Sequence, residues 1–170
     1  RAATNYGTTV AHEIAADLAA EGVVVVSGGA FGIDAAAHRG ALAAQGVTIA
    51  VLANGIDQVY PVGNTSLLHA VMATGVVMNE LPPGMHPMRQ GFLARNRLIA
   101  ALGGATVVVE AAARSGSAST VTRALELGRD VMAVPGPVTS MMSVGTHELI
   151  RDGATLVTSA DDVRELLNPW

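Results

Sequence analysis

The chain has no cysteine and no lysine, and aromatic residues make up 3% of its 170 positions. Without cysteine there is neither a disulfide scaffold nor a thiolate metal site, which fits a reducing cytoplasm. With two Phe, two Tyr and one Trp, the core has to be built from Ala, Val, Leu and Ile. No apolar run approaches the roughly 18 residues of a membrane span, and no charged segment leads into an apolar one as in a signal peptide. His12, His38, His69, His86 and His147 are scattered and lack metal-ligand spacing. No Gly-Lys-Ser/Thr occurs, which removes a P-loop, and no serine sits in a G-x-S-x-G elbow. All ten basic residues are arginine and the net charge is −4. That balance excludes a generally adhesive nucleic-acid binder, so any such binding needs a local arginine patch.

What is present is half apolar: 50% hydrophobic residues against 14% charged. The length suits one domain spanning 1–170. Apolar β-branched runs alternate with segments of helical period throughout. Strands are expected at 23–28, 47–53, 75–80, 105–110, 130–134 and 154–158. Helices are expected at 5–21, 33–45, 64–74, 91–102, 117–128, 145–152 and 161–167. Continuous Val/Ile runs separated by amphipathic helices predict an α/β fold, a doubly wound and mostly parallel sheet with helices on both faces. Gly22, Gly46, Gly75, Gly103 and Gly128 each follow a periodic segment, as helix ends do. Asn64 and Ser117 are the expected N-caps. Residues 81–87, rich in proline, form the one long loop and are open to movement. Arg1 leads almost at once into a helix, so a first strand is expected before it.

The most informative segment is 27–38, Ser-Gly-Gly-Ala-Phe-Gly-Ile-Asp-Ala-Ala-Ala-His. It joins the strand ending near Val26 to a helix. Glycines there let backbone approach a ligand, and the amides of a first helical turn attract anions. The spacing is not the G-x-G-x-x-G dinucleotide fingerprint, and Asp57 lies too far along, in a turn, to serve well as its ribose-binding acid. Asp34 reads as a helix N-terminal charge before a catalytic acid. His38, one turn later, reads as its structural polar partner.

Two further segments carry chemistry. In Phe92-Leu93-Ala94-Arg95-Asn96-Arg97 two arginines stand beside an aromatic and an amide. They form either a solvated helix start, with one Arg paired to Glu80 or Glu110, or a phosphate clamp with a base stacked on Phe92. Arg114-Ser115-Gly116-Ser117 forms a second small-residue loop at a strand end, and two such loops at neighbouring strand ends line the crevice where open α/β sheets bind ligands. Glu110, at that strand end, is read first as an arginine partner and second as an acid or base.

Taken together, SGGAFGIDAAAH (27–38), TIAVLANGID (48–57), YPVGN (60–64), NELPP (79–83), FLARNRLIA (92–100), VVVEAAARSGSAST (107–120), ELGRDVMAVPG (126–136) and GTHELIRDGA (145–154) resemble the DprA/Smf family of DNA-processing proteins. They cover most of the chain in the family's order. The resemblance implies an extended Rossmann-like domain that binds single-stranded DNA without cleaving it and without a cofactor. It also implies protection of incoming strands in natural transformation, loading of the RecA recombinase, homodimerisation and a cytoplasmic place. By motif match, Arg1, Phe92, Arg95, Asn96, Arg97 and Arg114 would face DNA. Backbone amides at Ser27, Gly28 and Gly29 and at Ser115, Gly116 and Ser117 would support them. The chain departs from the family pattern at Phe31, where Arg is usual, at Leu93-Ala94, where a Pro-basic pair is usual, at Asn79 (Ser) and at His147 (Asn). The family's accessory domains, a helical one before this region or a winged-helix-like one after it, are not among these 170 residues. The competing reading is a nucleotide-acting enzyme of a related Rossmann-like fold, a phosphoribohydrolase using Arg95 or Arg97 with Glu110. Its P-G-G-x-G-T-x-x-E loop is missing from the sequence.

Overall fold

Val107, Val108 and Val109 show why the strands read as unbroken apolar runs. Successive side chains on a strand point to opposite faces. Val107 and Val109 pack with Ala11, Ile14 and Leu18 on one side, while Val108 packs with Ala100, Val121 and Ala124 on the other. Both faces are covered by helices, so neither face can be polar.

The computed structural model describes residues 3–167. The elements run α1 (Asn5–Ala20), β1 (Val25–Ser27), α2 (Ile33–Ala43), β2 (Thr48–Val51), α3 (Thr65–Thr74), β3 (Val76–Met78), α4 (Arg89–Leu102), β4 (Ala105–Val108), α5 (Ser117–Glu126), β5 (Asp130–Ala133), α6 (Val144–Arg151), β6 (Thr155–Leu156) and α7 (Ala160–Leu166). Each expected element is present, and every strand pair is parallel. The strands are shorter than their apolar runs. Val23, for example, donates its amide to Leu18 O and closes the turn after α1 instead of joining the ladder.

Among the described residues the strands form two three-stranded sheets, β1-β2-β3 and β4-β5-β6, rather than one continuous sheet. Helices connect them. Ala11, Ile14 and Leu18 of α1 share a core with Ala36 of α2, with Val109, Met132, Val134 and Val157 from the second sheet, and with Val163 of α7. Leu68 and Val71 of α3 cover Ala50 and Leu52 of the first sheet.

Of the two expected caps, one holds by position and one is corrected. Asn64 is the N-cap residue of α3, but its amide donates to Gly29 O at 2.9 Å and makes no capping bond to the helix. Ser117 is the first residue of α5, and its hydroxyl bonds the Ser115 hydroxyl at 2.9 Å. Side-chain capping is found instead at Thr4, which accepts from Gly7 N, and at Ser159, which forms a reciprocal capping box with Asp162. The 81–87 loop is tied down: the Asp57 carboxylate accepts from Gly84 N at 2.9 and 3.0 Å, and Gly55 N donates to Met85 O at 2.8 Å. Asp57 is therefore a loop clamp rather than a ribose-binding acid.

α1 and α2 pack backbone to backbone. A β-carbon at Gly40 would lie 2.2 Å from His12 O and 3.1 Å from Ala16 N. Backbone atoms cannot step aside as a side-chain end can, so Gly40→Ala must separate the helices. We expect it to destabilise the fold by about 1–3 kcal/mol despite alanine's better helix propensity, read as a lowered urea midpoint. An unchanged midpoint would show that the two helices have slack.

Candidate functional site

The loops that leave the carboxyl ends of β1, β2, β3 and β4 gather around α4. This is where an open parallel sheet places its ligand. Ser27 ends β1, and Gly28 and Gly29 are buried behind it. The loop is held from three directions. Asp34 Oδ2 accepts from Ala30 N at 3.1 Å, Asn64 Nδ2 donates to Gly29 O, and Arg95 Nη1 donates to Gly28 O at 2.8 Å. Gly29 is left-handed, at φ +70°. Gly28 is glycine for a different reason: a β-carbon there would lie 2.5–2.7 Å from the Arg95 guanidinium. Close approach is needed, and the group approaching is the protein's own arginine.

Neighbouring residues on a helix point about 100° apart, and α4 uses this at 95–97. Arg95 turns inward and is only 7% exposed. Its Nη1 donates to Gly28 O and also to Val51 O, and its Nε donates to Asn96 Oδ1 at 3.2 Å. Burial lowers its pKa and the nearby Asp34 charge opposes that shift. Asn96 turns toward the second loop, donating to Gly116 O at 3.2 Å and Ser119 Oγ at 2.7 Å. Arg97 turns outward, and its Nη2 donates to both carboxylate oxygens of Glu80, at 2.5 and 2.6 Å. α4 is thus a strut that fixes the glycine loop against the 115–117 loop. Of Arg95 and Arg97, Arg97 is the one whose guanidinium reaches the surface.

In the second loop, Ser117 N donates to Ser115 Oγ at 3.3 Å. Arg114 is exposed and makes no ion pair among the described residues. Among the described residues Glu110 pairs with no arginine. It is 9% exposed and accepts from Thr4 N at 2.9 Å and Thr4 Oγ1 at 2.5 Å. It anchors the start of α1, and Gly7 lacks a side chain because a β-carbon would meet the Glu110 carboxylate at 2.2 Å. The Asp34–His38 pair is corrected too: His38 Nδ1 meets Thr48 Oγ1 at 2.7 Å, while Asp34 bonds Ala30 N. Arg1 lies outside the described residues.

Sequence reasoning named Gly28 and Phe92 and noted Phe31, but missed the other walls of the site. A cavity of about 260 Å³ is lined by Gly28, Ala30, Phe31, Leu52, Ala53, Asn54, Tyr60, Pro61 and Phe92. Tyr60 and Phe92 have ring centroids 6.1 Å apart at 51°, and the Arg95 guanidinium carbon lies 5.9 Å from the Phe92 centroid. A signal did exist: the chain has five aromatic residues in all, and three of them line this cavity. Arg89, exposed at the start of α4, stands one turn before Phe92 and was also not singled out. Among the described residues no three His, Asp or Glu side chains come together to hold a metal ion. No described helix is long and apolar enough to cross a membrane.

Comparison with known proteins places this arrangement. Residues 1–168 match the family model for DNA recombination-mediator protein A. A DprA-type DNA processing protein of Mycobacterium tuberculosis is 58% identical over 167 residues, covering 98% of this chain and 43% of that protein. The chain therefore spans less than half the length of that relative. The X-ray structure of DprA from Streptococcus pneumoniae superposes with a TM-score of 0.91 at 41% identity, covering 99% of this chain and 59% of that one. DprA from Helicobacter pylori, whose structure concerns its single-stranded DNA binding mode, superposes with a TM-score of 0.88 at 30% identity, covering 96% of this chain and 74% of that one. With parallel sheets, both loops and nearly every residue matched, this chain belongs to the DNA recombination-mediator protein A family, the DprA/Smf DNA-processing proteins.

Proposed function

We propose that the crevice at the strand ends binds single-stranded DNA and holds it without cleaving it. The observation that carries this reading is an aromatic-lined cavity at the same strand ends as the exposed arginines Arg89 and Arg114. Phosphates would meet Arg97, Arg114 and the amides of 27–29 and 115–117, with a base against Phe92. Arg95 and Asn96 hold the two loops in register, and their part in DNA binding is positional. The wider role follows the family reading: a cytoplasmic homodimer that protects incoming strands in natural transformation and helps load RecA. The nucleotide-cleaving alternative draws no support from the site. Of its two candidate arginines, Arg95 is engaged by Gly28 and Val51 and Arg97 by Glu80, and its carboxylate, Glu110, is engaged by Thr4.

The test is fluorescence anisotropy of labelled oligo-dT with the full-length protein at about 50 and 200 mM salt. Micromolar or tighter binding is expected. If three phosphates are neutralised, the fourfold rise in salt weakens binding roughly 20-fold, since the single-strand slope is about −0.7 per phosphate. Arg97→Ala and Arg114→Ala should each flatten that slope by about 0.7. Absence of binding, together with base release from AMP, would favour the hydrolase.

A further inference from the structure

We propose that the Glu80 carboxylate holds the place of a strand phosphate on Arg97, so that Glu80 sets how tightly the crevice takes DNA. This rests on the single-stranded DNA reading and deepens it.

Arg97 gives one nitrogen, Nη2, to both oxygens of Glu80. A carboxylate and a phosphate present a guanidinium with the same partner, two anionic oxygens side by side. Glu80 therefore occupies Arg97 as a phosphate would. The side chains are 53% and 46% exposed, so a phosphate reaches the pair from solvent, and a pair this exposed is weak enough to exchange.

The two partners are not equally free. On one side of Glu80, Asn79 Nδ2 donates to Asn54 O and to Leu81 O, each at 2.7 Å. On the other side the Asp57 carboxylate holds Gly84 N. The backbone that carries Glu80 is pinned by both, whereas Arg97 leaves α4 on a long side chain with several rotatable bonds. Arg97 is thus the partner that turns to an arriving phosphate. Arg89, Leu93 and Arg97 are all exposed and lie four residues apart, on one face of α4. Arg89 stands about 12 Å before Arg97 along the axis and makes no ion pair among the described residues. One arginine of this face is ready and the other is held. A strand that lands on Arg89 brings its following phosphates to the held one at high local concentration. The exchange breaks the pair and leaves a carboxylate beside the strand, and removing that carboxylate relieves both penalties.

The experiment is a double-mutant cycle on oligo-dT affinity, with the full-length protein as parent, Glu80→Gln, Arg97→Ala and the two combined. It is run at about 150 mM salt, where charges more than about 8 Å apart are screened. Glu80→Gln is nearly isosteric and should keep the parental melting curve while tightening binding about two- to fivefold. In the Arg97→Ala background the same change should alter affinity by less than about 1.5-fold, because there is no guanidinium left to release. Equal tightening in the two backgrounds would show general repulsion by a carboxylate and overturn the place-holder. Weaker binding by Glu80→Gln would overturn it too, making Glu80 a support that aims Arg97. If the parent binds oligo-dT and Glu80→Gln binds no tighter, the place-holder falls and the DNA reading stands. If the parent binds no oligo-dT, both fall together.

Discussion

Arg95→Ala is expected to cost on the order of 4 kcal/mol of folding stability. Truncation strips the Gly28 and Val51 carbonyls of their guanidinium donor, and an unsatisfied buried acceptor costs about 1–3 kcal/mol. The cavity adds to this, and relief of the buried charge's desolvation subtracts from it. Arg95→Met separates these effects: it refills most of the volume, restores no donor, and should recover only the cavity part. Urea denaturation with the two variants and the parent reads the difference directly. Arg97→Ala is the control. Its pair with Glu80 is about half exposed on both sides, so it should change stability by less than about 1 kcal/mol. Equal midpoints for Arg95→Ala and Arg97→Ala would refute the strut. For DNA binding, an Arg95 variant that still folds should bind weakly yet keep the parental salt slope, because no phosphate contact has been removed.

The second large effect is acid sensitivity through His38. The ring is fully buried, and Thr48 Oγ1 donates to Val25 O at 2.8 Å, so that oxygen accepts a hydrogen bond from His38 Nδ1–H at 2.7 Å. Nε2 then carries a lone pair with no partner among the described residues. Burial lowers the pKa from 6.5 to about 4; the Asp34 charge opposes the shift and the Arg95 charge adds to it. Above pH 6.5 the ring is neutral whether the chain is folded or not, and stability does not depend on it. Between 6.5 and 4 the unfolded chain binds a proton that the folded one refuses. Stability falls there by about 1.4 kcal/mol per pH unit, about 3 kcal/mol in all, and levels off below. His38→Gln keeps a polar side chain that does not titrate. Its melting temperature should fall less steeply than the parent's from pH 6.5 to 4, and parallel curves would show that His38 is not the group responsible.

Much of the fold was legible in the chain. The alternation of Val/Ile runs with helical periods located every element, because burial on both faces leaves a parallel strand no polar positions. Boundaries were less legible where a residue such as Val23 serves a turn instead of a ladder. The division into two sheets was not legible either, since strand pairing depends on neighbours far apart in sequence. At the site, the two loops and α4 were found by motif, but the duties of their side chains were not. Glu110 illustrates the reason: a strand-end carboxylate has many possible partners, and the one it takes, Thr4, lies 106 positions away.

By itself, the sequence determined a parallel α/β domain with a core of small aliphatic residues, no thiolate site, and a glycine loop at a strand end. These follow from local period and residue chemistry, which a linear chain carries in full. Only the tertiary structure decided that Arg95 points into the protein while Arg97 points out. Two positions along a helix are enough to reverse a direction, but what lies in each direction is set by packing. Only the tertiary structure, likewise, brought Phe31, Tyr60 and Phe92 to one cavity. Their sequence separations encode nothing of that meeting, which depends on two loops and the first turn of α4 coming to the same edge of a sheet.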